Sequence, residues 1–226
     1  MEKIIIGTRG SELALWQANH VKNILEINGH QVEIKIIKTQ GDIIQHLSFD
    51  KMEGKGFFTK ELEEALLKNK IDLAVHSHKD LETNQPDGLI IAAVSKRANP
   101  SDLLIINKDS FDIKEKYCLK KNAVLGTSSA RRKAQFSALR DDVTISDLRG
   151  NVPTRIQKLR EKKYDAIMLA KAGLDRLQIN LKEFATIELN PKEFIAAPAQ
   201  GVLAFQSRAD NYILIQRYRN TKLYTC

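Results

Sequence analysis

The sequence has no uninterrupted apolar run that approaches the roughly 20 residues needed to span a bilayer as a helix. Its start, Met1-Glu2-Lys3-Ile4-Ile5-Ile6, lacks the charged-then-apolar layout of a secretory signal. A cytoplasmic protein with no membrane partner is therefore expected. Cysteine is scarce: Cys118 and Cys226 are the only two, and neither has a Cys neighbour at short spacing, so they supply neither a disulfide framework nor a zinc cluster. Cys118 reads as a reduced intracellular thiol. Aromatic residues are only 6% of the chain and do not interleave with a stripe of arginines, so no nucleic-acid partner is expected. Internal repeats and low-complexity segments are missing as well.

What is present is an ordinary core-forming composition, 42% apolar over 226 residues, enough for two compact domains or one large one. Lys and Arg outnumber Asp and Glu by 36 to 28, a net charge of +8 that draws anions to the surface. Lys3 to Ile6 reads as a strand ending at Gly7; Ser11 then precedes apolar positions 13, 16, 21, 24 and 25 at helical spacing, closed by Gly29. Val32, Ile34 and Ile36 alternate with Glu33 and Lys35 as a second strand, Thr59 stands as a helix cap before Leu62, Ala65 and Leu66, and residues 71–75 read as a third strand. The alternation resumes with strands near 123–125, 143–145 and 165–169, separated by amphipathic stretches from Ser129 to Leu139 and from Pro153 to Lys162. Alternating β and α elements predict an α/β fold with mostly parallel sheets covered by helices. The polar stretch Ser95-Lys96-Arg97-Ala98-Asn99-Pro100 suits a domain crossing, and Asn190-Pro191 offers a second.

Several segments carry chemistry. Gly126-Thr127-Ser128-Ser129-Ala130-Arg131-Arg132 follows an apolar strand and opens a helix, where amides, hydroxyls and guanidinium groups make an anion site. It serves equally as a Ser cap followed by two solvated arginines. Leu148-Arg149-Gly150-Asn151-Val152-Pro153-Thr154-Arg155 places Arg155 near the positive end of a Pro-initiated helix, a conflict that a bound anion relieves and that a tolerated surface Arg also explains. Val75-His76-Ser77-His78-Lys79-Asp80 lies at the end of a strand, the edge at which open parallel sheets hold ligands. Two histidines two apart on a strand share a face, but with no further His or Cys at metal-motif spacing no metal is expected. Gly54-Lys55-Gly56-Phe57-Phe58-Thr59 is a basic loop that lacks full phosphate-loop spacing, and Gly7-Thr8-Arg9-Gly10-Ser11 is as unspecific.

Taken in order, residues 7–18, 54–63, 72–80, 126–132, 148–155, 164–177 and 198–201 resemble the hydroxymethylbilane synthase (porphobilinogen deaminase) family, a resemblance that runs to about Arg208. It implies a cytoplasmic, monomeric transferase that joins four porphobilinogen units into hydroxymethylbilane with release of ammonia, starting from a dipyrromethane cofactor held on a cysteine. It implies two domains like those of periplasmic binding proteins, with mixed, mostly parallel sheets and a cleft between them, residues 1–95 with 196–226 in one and 96–195 in the other. By the resemblance Asp80 is the catalytic carboxylate, and it contacts the cofactor together with Lys79, Thr127, Ser128, Ser129, Arg131 and Arg132. Arg9, Gln17, Arg149, Arg155, Arg176 and Gln200 contact substrate, and Lys51, Lys55 and Phe58 belong to a loop over the cleft. The family's third, α+β domain carries its cofactor cysteine in a Gly-Gly-Cys context; no Gly-Gly occurs here, so no covalent cofactor Cys is identified and that domain is expected to be absent. Cys226 matches in residue type alone. A chain without the thiol is expected to show little synthase activity, and a non-catalytic module that binds pyrrole carboxylates is the alternative. Two smaller departures are Ala199, where many relatives have Gly, and Gln206, where many have Glu.

Overall fold

The computed structural model describes residues 3–43 and 58–211, and the backbone of 224–225. These form two compact units, the chain passing from the first to the second after Ala98 and returning at Gly201. The crossings fall three and five residues beyond the limits drawn from the sequence.

In the first unit β1 (Ile4–Thr8) lies between two parallel neighbours, β2 (Val32–Ile36) and β3 (Leu73–Ser77). Between β1 and β2 runs α1 (Glu12–Ile27), whose N-cap Ser11 accepts from Ala14 N at 3.4 Å and whose chain exit uses Gly29 at φ +84°. Alternation along the strands sorts the core. Ile4, Ile6, Leu73 and Val75 pack with Ala18, Val21 and Leu25 of α1, whereas Ala74 joins Leu62, Ala65 and Leu66 of α3 (Lys60–Leu67). A short α2 (Gln40–Ile43) follows β2. After β4 (Leu89–Val94) the chain leaves, and it returns as β10 (Leu203–Arg208), inserted antiparallel between β3 and β4; β11 (Tyr224–Thr225) pairs with the outer side of β4.

The second unit is a five-stranded sheet in the order β7-β6-β8-β5-β9. Its strands are β5 (Asp102–Asn107), β6 (Val124–Gly126), β7 (Thr144–Ser146), β8 (Ala166–Ala170) and β9 (Phe184–Glu188). Helix α4 (Ala130–Leu139) buries Phe136 on one face with Leu104, Leu125 and Met168. Helix α5 (Val152–Arg160) buries Ile156 and Leu159 on the other with Leu103, Ile105 and Ile167, next to Leu174 of α6 (Lys171–Leu177). The α5 start is built as its sequence dictates: Asn151 Oδ1 accepts from Thr154 N at 2.9 Å, and Pro153 sits in the first turn. At Gly126 an added Cβ would meet the Tyr164 ring at 2.8 Å, so the strand-to-loop exit that leads to Thr127 admits only glycine without displacing that ring.

The expectation of an α/β fold with mixed sheets is met. Four strand pairs are parallel (β1/β2, β1/β3, β6/β7, β6/β8) and five antiparallel, so the parallel share falls just short of the expected majority. The βαβ cores supply the parallel pairs. The strands that flank the crossings, β5 and β10, run the other way. No helix among the described residues is long and apolar enough to cross a membrane.

Ala199 occupies the left-handed region at φ +54°, just before the chain re-enters the first unit. A Cβ there is strained, so the position suits glycine better than alanine. Ala199→Gly is therefore expected to stabilise the protein by about 0.5–1 kcal/mol, the strain relieved less the entropy glycine adds to the unfolded chain; a urea midpoint that fails to rise would contradict this.

Candidate functional site

The first unit holds a pocket at the C-terminal end of its parallel strands. Its polar walls are Arg9 and Ser11 after β1, Gln17 on α1, Thr59 at the start of α3, His76 and Ser77 at the end of β3, and Asp80. Strand alternation sends His76 to the side of Ala74 and α3, while Ser77 faces α1 and accepts from Gln17 Nε2 at 2.9 Å. A 3-10 turn (His78–Asp80) then ends the strand, so His76 and His78 do not share a strand face: His76 is buried and His78 half-exposed. The shared-face geometry of a metal pair is thus lost where β3 breaks into a turn. Lys79 and Asp80 are exposed, and Asp80 has no hydrogen-bond or ion-pair partner among the described residues. The Arg9 guanidinium lies 4.0 Å from the centre of the Phe58 ring, a cation–π contact that fixes its charge on the pocket wall.

Thr59 takes the N-cap position of α3 but does not cap it; its hydroxyl is buried with no hydrogen-bond partner. The capping expectation is corrected here, because Thr59 is in an α-type conformation that turns its hydroxyl away from the helix amides. His76 is 5% exposed, and its Nε2 lies 3.1 Å from Gln206 Oε1. Burial pushes the His76 pKa down to about 4, the Gln206 bond opposing and the Arg9 charge adding to the fall. An imidazole more acidic in the fold than in the open chain stabilises the protein fully above the unfolded value near 6.5, and the contribution is lost as pH falls through about 4. The expected loss between those limits is up to about 3 kcal/mol. His76→Gln should flatten the stability profile over that window, and unfolding midpoints measured from pH 7 to 4 that fall equally in both proteins would contradict the assignment.

In the second unit Arg131 and Arg132 converge on one buried carboxylate. Asp102, at the start of β5 and 0% exposed, accepts from Arg131 Nη2 at 2.7 Å, from Arg132 Nη2 and Nε at 2.7 and 3.1 Å, and from Gln200 Nε2 at 2.9 Å. Burial would raise its pKa, but Arg132, Gln200 and Arg131 together outweigh that and hold the carboxyl below its ordinary range. The sequence reading missed this residue. Arg131 also donates to Ile195 O at 2.6 Å and has a buried Nε with no hydrogen-bond partner.

Three expected ligand contacts are found committed to the protein. Arg132 is buried, bonded to Asp102 and to Met168 O at 2.9 Å. Gln200 gives its amide hydrogens to Asp102 and to Pro100 O at 2.6 Å. Ser128 donates its one hydroxyl hydrogen to Leu148 O and accepts from Leu148 N, pinning the 126–129 loop to the segment that carries Arg149. The physical reason is common to all three: a buried polar group takes the nearest protein partner that satisfies it. Thr127 is buried, with its hydroxyl 3.4 Å from Ser129 N, and Ser129 makes no side-chain cap bond, so its hydroxyl is not taken up by the helix it precedes. Arg149 follows buried Leu148, Arg155 donates Nε to Gly150 O at 2.7 Å, and the half-buried Arg176 on α6 has its pKa lowered by burial. Lys51, Lys55 and Cys226 lie outside the described residues.

A family model described as porphobilinogen deaminase, dipyromethane cofactor binding domain, matches residues 4–216. The porphobilinogen deaminase of Sulfurimonas denitrificans is 46% identical over 220 residues, 95% of this chain and 68% of that protein. Those of Nitratidesulfovibrio vulgaris and Nitratiruptor are 46% and 44% identical, over 93% and 97% of this chain and 65% and 70% of theirs. The chain thus spans about two thirds of the length of these relatives. Among solved structures, the periplasmic VFT2 domain of Bordetella pertussis BvgS superposes with a TM-score of 0.54 at 9% identity, covering 95% of this chain and 84% of that one. Substrate binding domain 2 of Lactococcus lactis GlnP gives 0.53 at 12%, covering 97% and 88%. At such identities the likeness concerns the fold, which is that of periplasmic binding proteins. With a family model over nearly its full extent and relatives at 44–46% identity, this chain belongs to the porphobilinogen deaminase family.

Proposed function

We propose that the two units carry the chemistry of porphobilinogen deaminase, or hydroxymethylbilane synthase: four porphobilinogen molecules condense head to tail, each losing ammonia, in tetrapyrrole synthesis. The observation that carries this reading is Asp80, an exposed carboxylate in the turn after β3, unpartnered among the described residues, in a pocket whose other charged wall is Arg9. When the C–N bond of the aminomethyl group breaks, its electron pair leaves with ammonia and a positively charged azafulvene remains. Asp80, fixed beside the pyrrole nitrogen, steadies that charge without reorganising. A carbon–carbon bond then forms at the free α-carbon of the growing chain, and the proton on that carbon is released.

Lys79, Thr127, Ser129 and Arg131 are assigned to the carboxylates of the dipyrromethane, and Arg9, Arg149, Arg155 and Arg176 to those of incoming porphobilinogen. The donor set fits such a group, since its carboxylates accept only and Arg131 offers a buried donor that has no protein acceptor. When bound, the dipyrromethane supplies the nucleophilic pyrrole carbon. Gln17 lines the pocket behind Ser77, while Ser128, Arg132 and Gln200 act from behind the ligand, holding the loop and the Asp102 cluster in place. The protein works as a cytoplasmic monomer, on a small molecule rather than on nucleic acid. The test is porphobilinogen supplied to the purified chain, with ammonia and porphobilinogen followed together and mass spectrometry reading any covalent dipyrromethane. Release of one ammonia per porphobilinogen consumed supports the reading; binding without ammonia release overturns it in favour of a carboxylate-binding module.

A further inference from the structure

The protonation of His76 is decided by groups outside the ring. Gln206 on β10 donates its amide hydrogens to Glu63 Oε1 at 3.1 Å and to Gln85 Oε1 at 2.8 Å. Gln85 is itself oriented, because its amide nitrogen donates to Glu82 O at 2.7 Å and leaves its oxygen as the acceptor. A carboxylate accepts and never donates, so turning the Gln206 amide over would set its oxygen against Glu63. Gln206 Oε1 therefore faces His76 and must accept from it, which puts the single ring proton on Nε2. A second proton, on Nδ1, would be buried in a pocket wall that also carries the Arg9 charge. Glu63 faces the ring through Gln206, and Asp80 lines the same pocket as the ring. Nδ1 is left with its lone pair.

The same pocket contains the Thr59 hydroxyl, buried and without a hydrogen-bond partner. The imidazole, with Nδ1 unprotonated, and the Asp80 carboxylate on one pocket wall are acceptors, and the Thr59 hydroxyl can serve either way, so the pocket suits a ligand that donates. We propose that His76 is a specificity-determining residue, its Nδ1 accepting a hydrogen bond from an N–H of the bound pyrrole as a second acceptor beside Asp80. As an imidazole it is far too weak a base to take a proton from an aminomethyl ammonium, so it holds such a group without discharging it. The role rests on the functional reading above; the tautomer does not.

The test uses the full chain with ¹⁵N-labelled histidine, and long-range proton–nitrogen correlation at pH 7. The free protein should show His76 protonated on Nε2 alone. Porphobilinogen should then shift the Nδ1 resonance towards the hydrogen-bonded range. A pyrrole with the same acid side chains but a methyl in place of the aminomethyl group separates the donors: a shift with both compounds assigns the ring N–H, a shift with porphobilinogen alone the aminomethyl nitrogen. His76→Gln keeps a donor for Gln206 and loses Nδ1, so its Kd for porphobilinogen should rise roughly three- to tenfold. A proton on Nδ1 in the free protein overturns the tautomer and the role together. Porphobilinogen bound by calorimetry with Nδ1 undisturbed, or bound equally by His76→Gln, overturns the role alone. A wild-type chain that binds no porphobilinogen overturns the function proposed above and the ligand role with it.

Discussion

Asp80→Asn is expected to lower ammonia release from porphobilinogen by at least about a hundredfold, the cost typical of removing one preorganised electrostatic group at a developing charge. The substitution keeps shape and hydrogen-bonding capacity and removes one negative charge. Because Asp80 is exposed and bonded to nothing among the described residues, the fold loses no contact, and the change in stability should stay within about 0.5 kcal/mol. Charge that matters only once the cation forms should appear in kcat with KM little changed. A kcat within tenfold of the parent would remove Asp80 from the chemistry. A rise in KM alone would make it a binding group.

The βαβ portions of both units were legible because their signals are local: Ser11 and Asn151 cap helices whose apolar faces repeat every three to four residues, and β2 alternates. Strands β4 and β5 left no such trace. Leu89 to Val94 and Leu103 to Ile106 are continuous apolar runs because both faces are covered, and periodicity does not assign them. The direction of β10 is set by where the chain returns from the second unit, which no local pattern encodes. In the candidate site, Asp80 and the Gly126 to Arg132 loop stand out by residue type at a strand end and at a strand–loop–helix junction, whereas Arg9 enters only through the family resemblance. The site was not legible at Gln206, whose partner His76 is 130 residues away, nor in the distinction between Arg131 and Arg132. Adjacent in sequence, one keeps a donor without a protein partner and the other is enclosed, since helical rotation separates neighbours by about 100°.

Loss of the Asp102 carboxylate should cost the fold heavily. In the sequence Asp102 is one acid before an apolar run, and its partners lie 29, 30 and 98 residues away. Asp102→Ala would leave Arg132, 6% exposed, with a buried charge beside the Met168 carbonyl and without the Asp102 carboxylate to balance it. Breaking one side of such a buried pair costs about 3–5 kcal/mol, far above the worth of an exposed ion pair. Asp102→Asn should fare little better, because its amide nitrogen would point a donor at a donor. The pH dependence follows from the depressed carboxyl: the contribution is present above the unfolded value near 4 and lost as pH falls through the lower folded value, so the gap between parent and variant should close in acid. Urea unfolding of both proteins at pH 7 and at pH 3 measures it. A gap under about 1 kcal/mol at pH 7 would mean the cluster is held by its surroundings rather than by this carboxylate, and Arg131 would then owe its orientation to Ile195 and to the Phe194 ring 5.8 Å away.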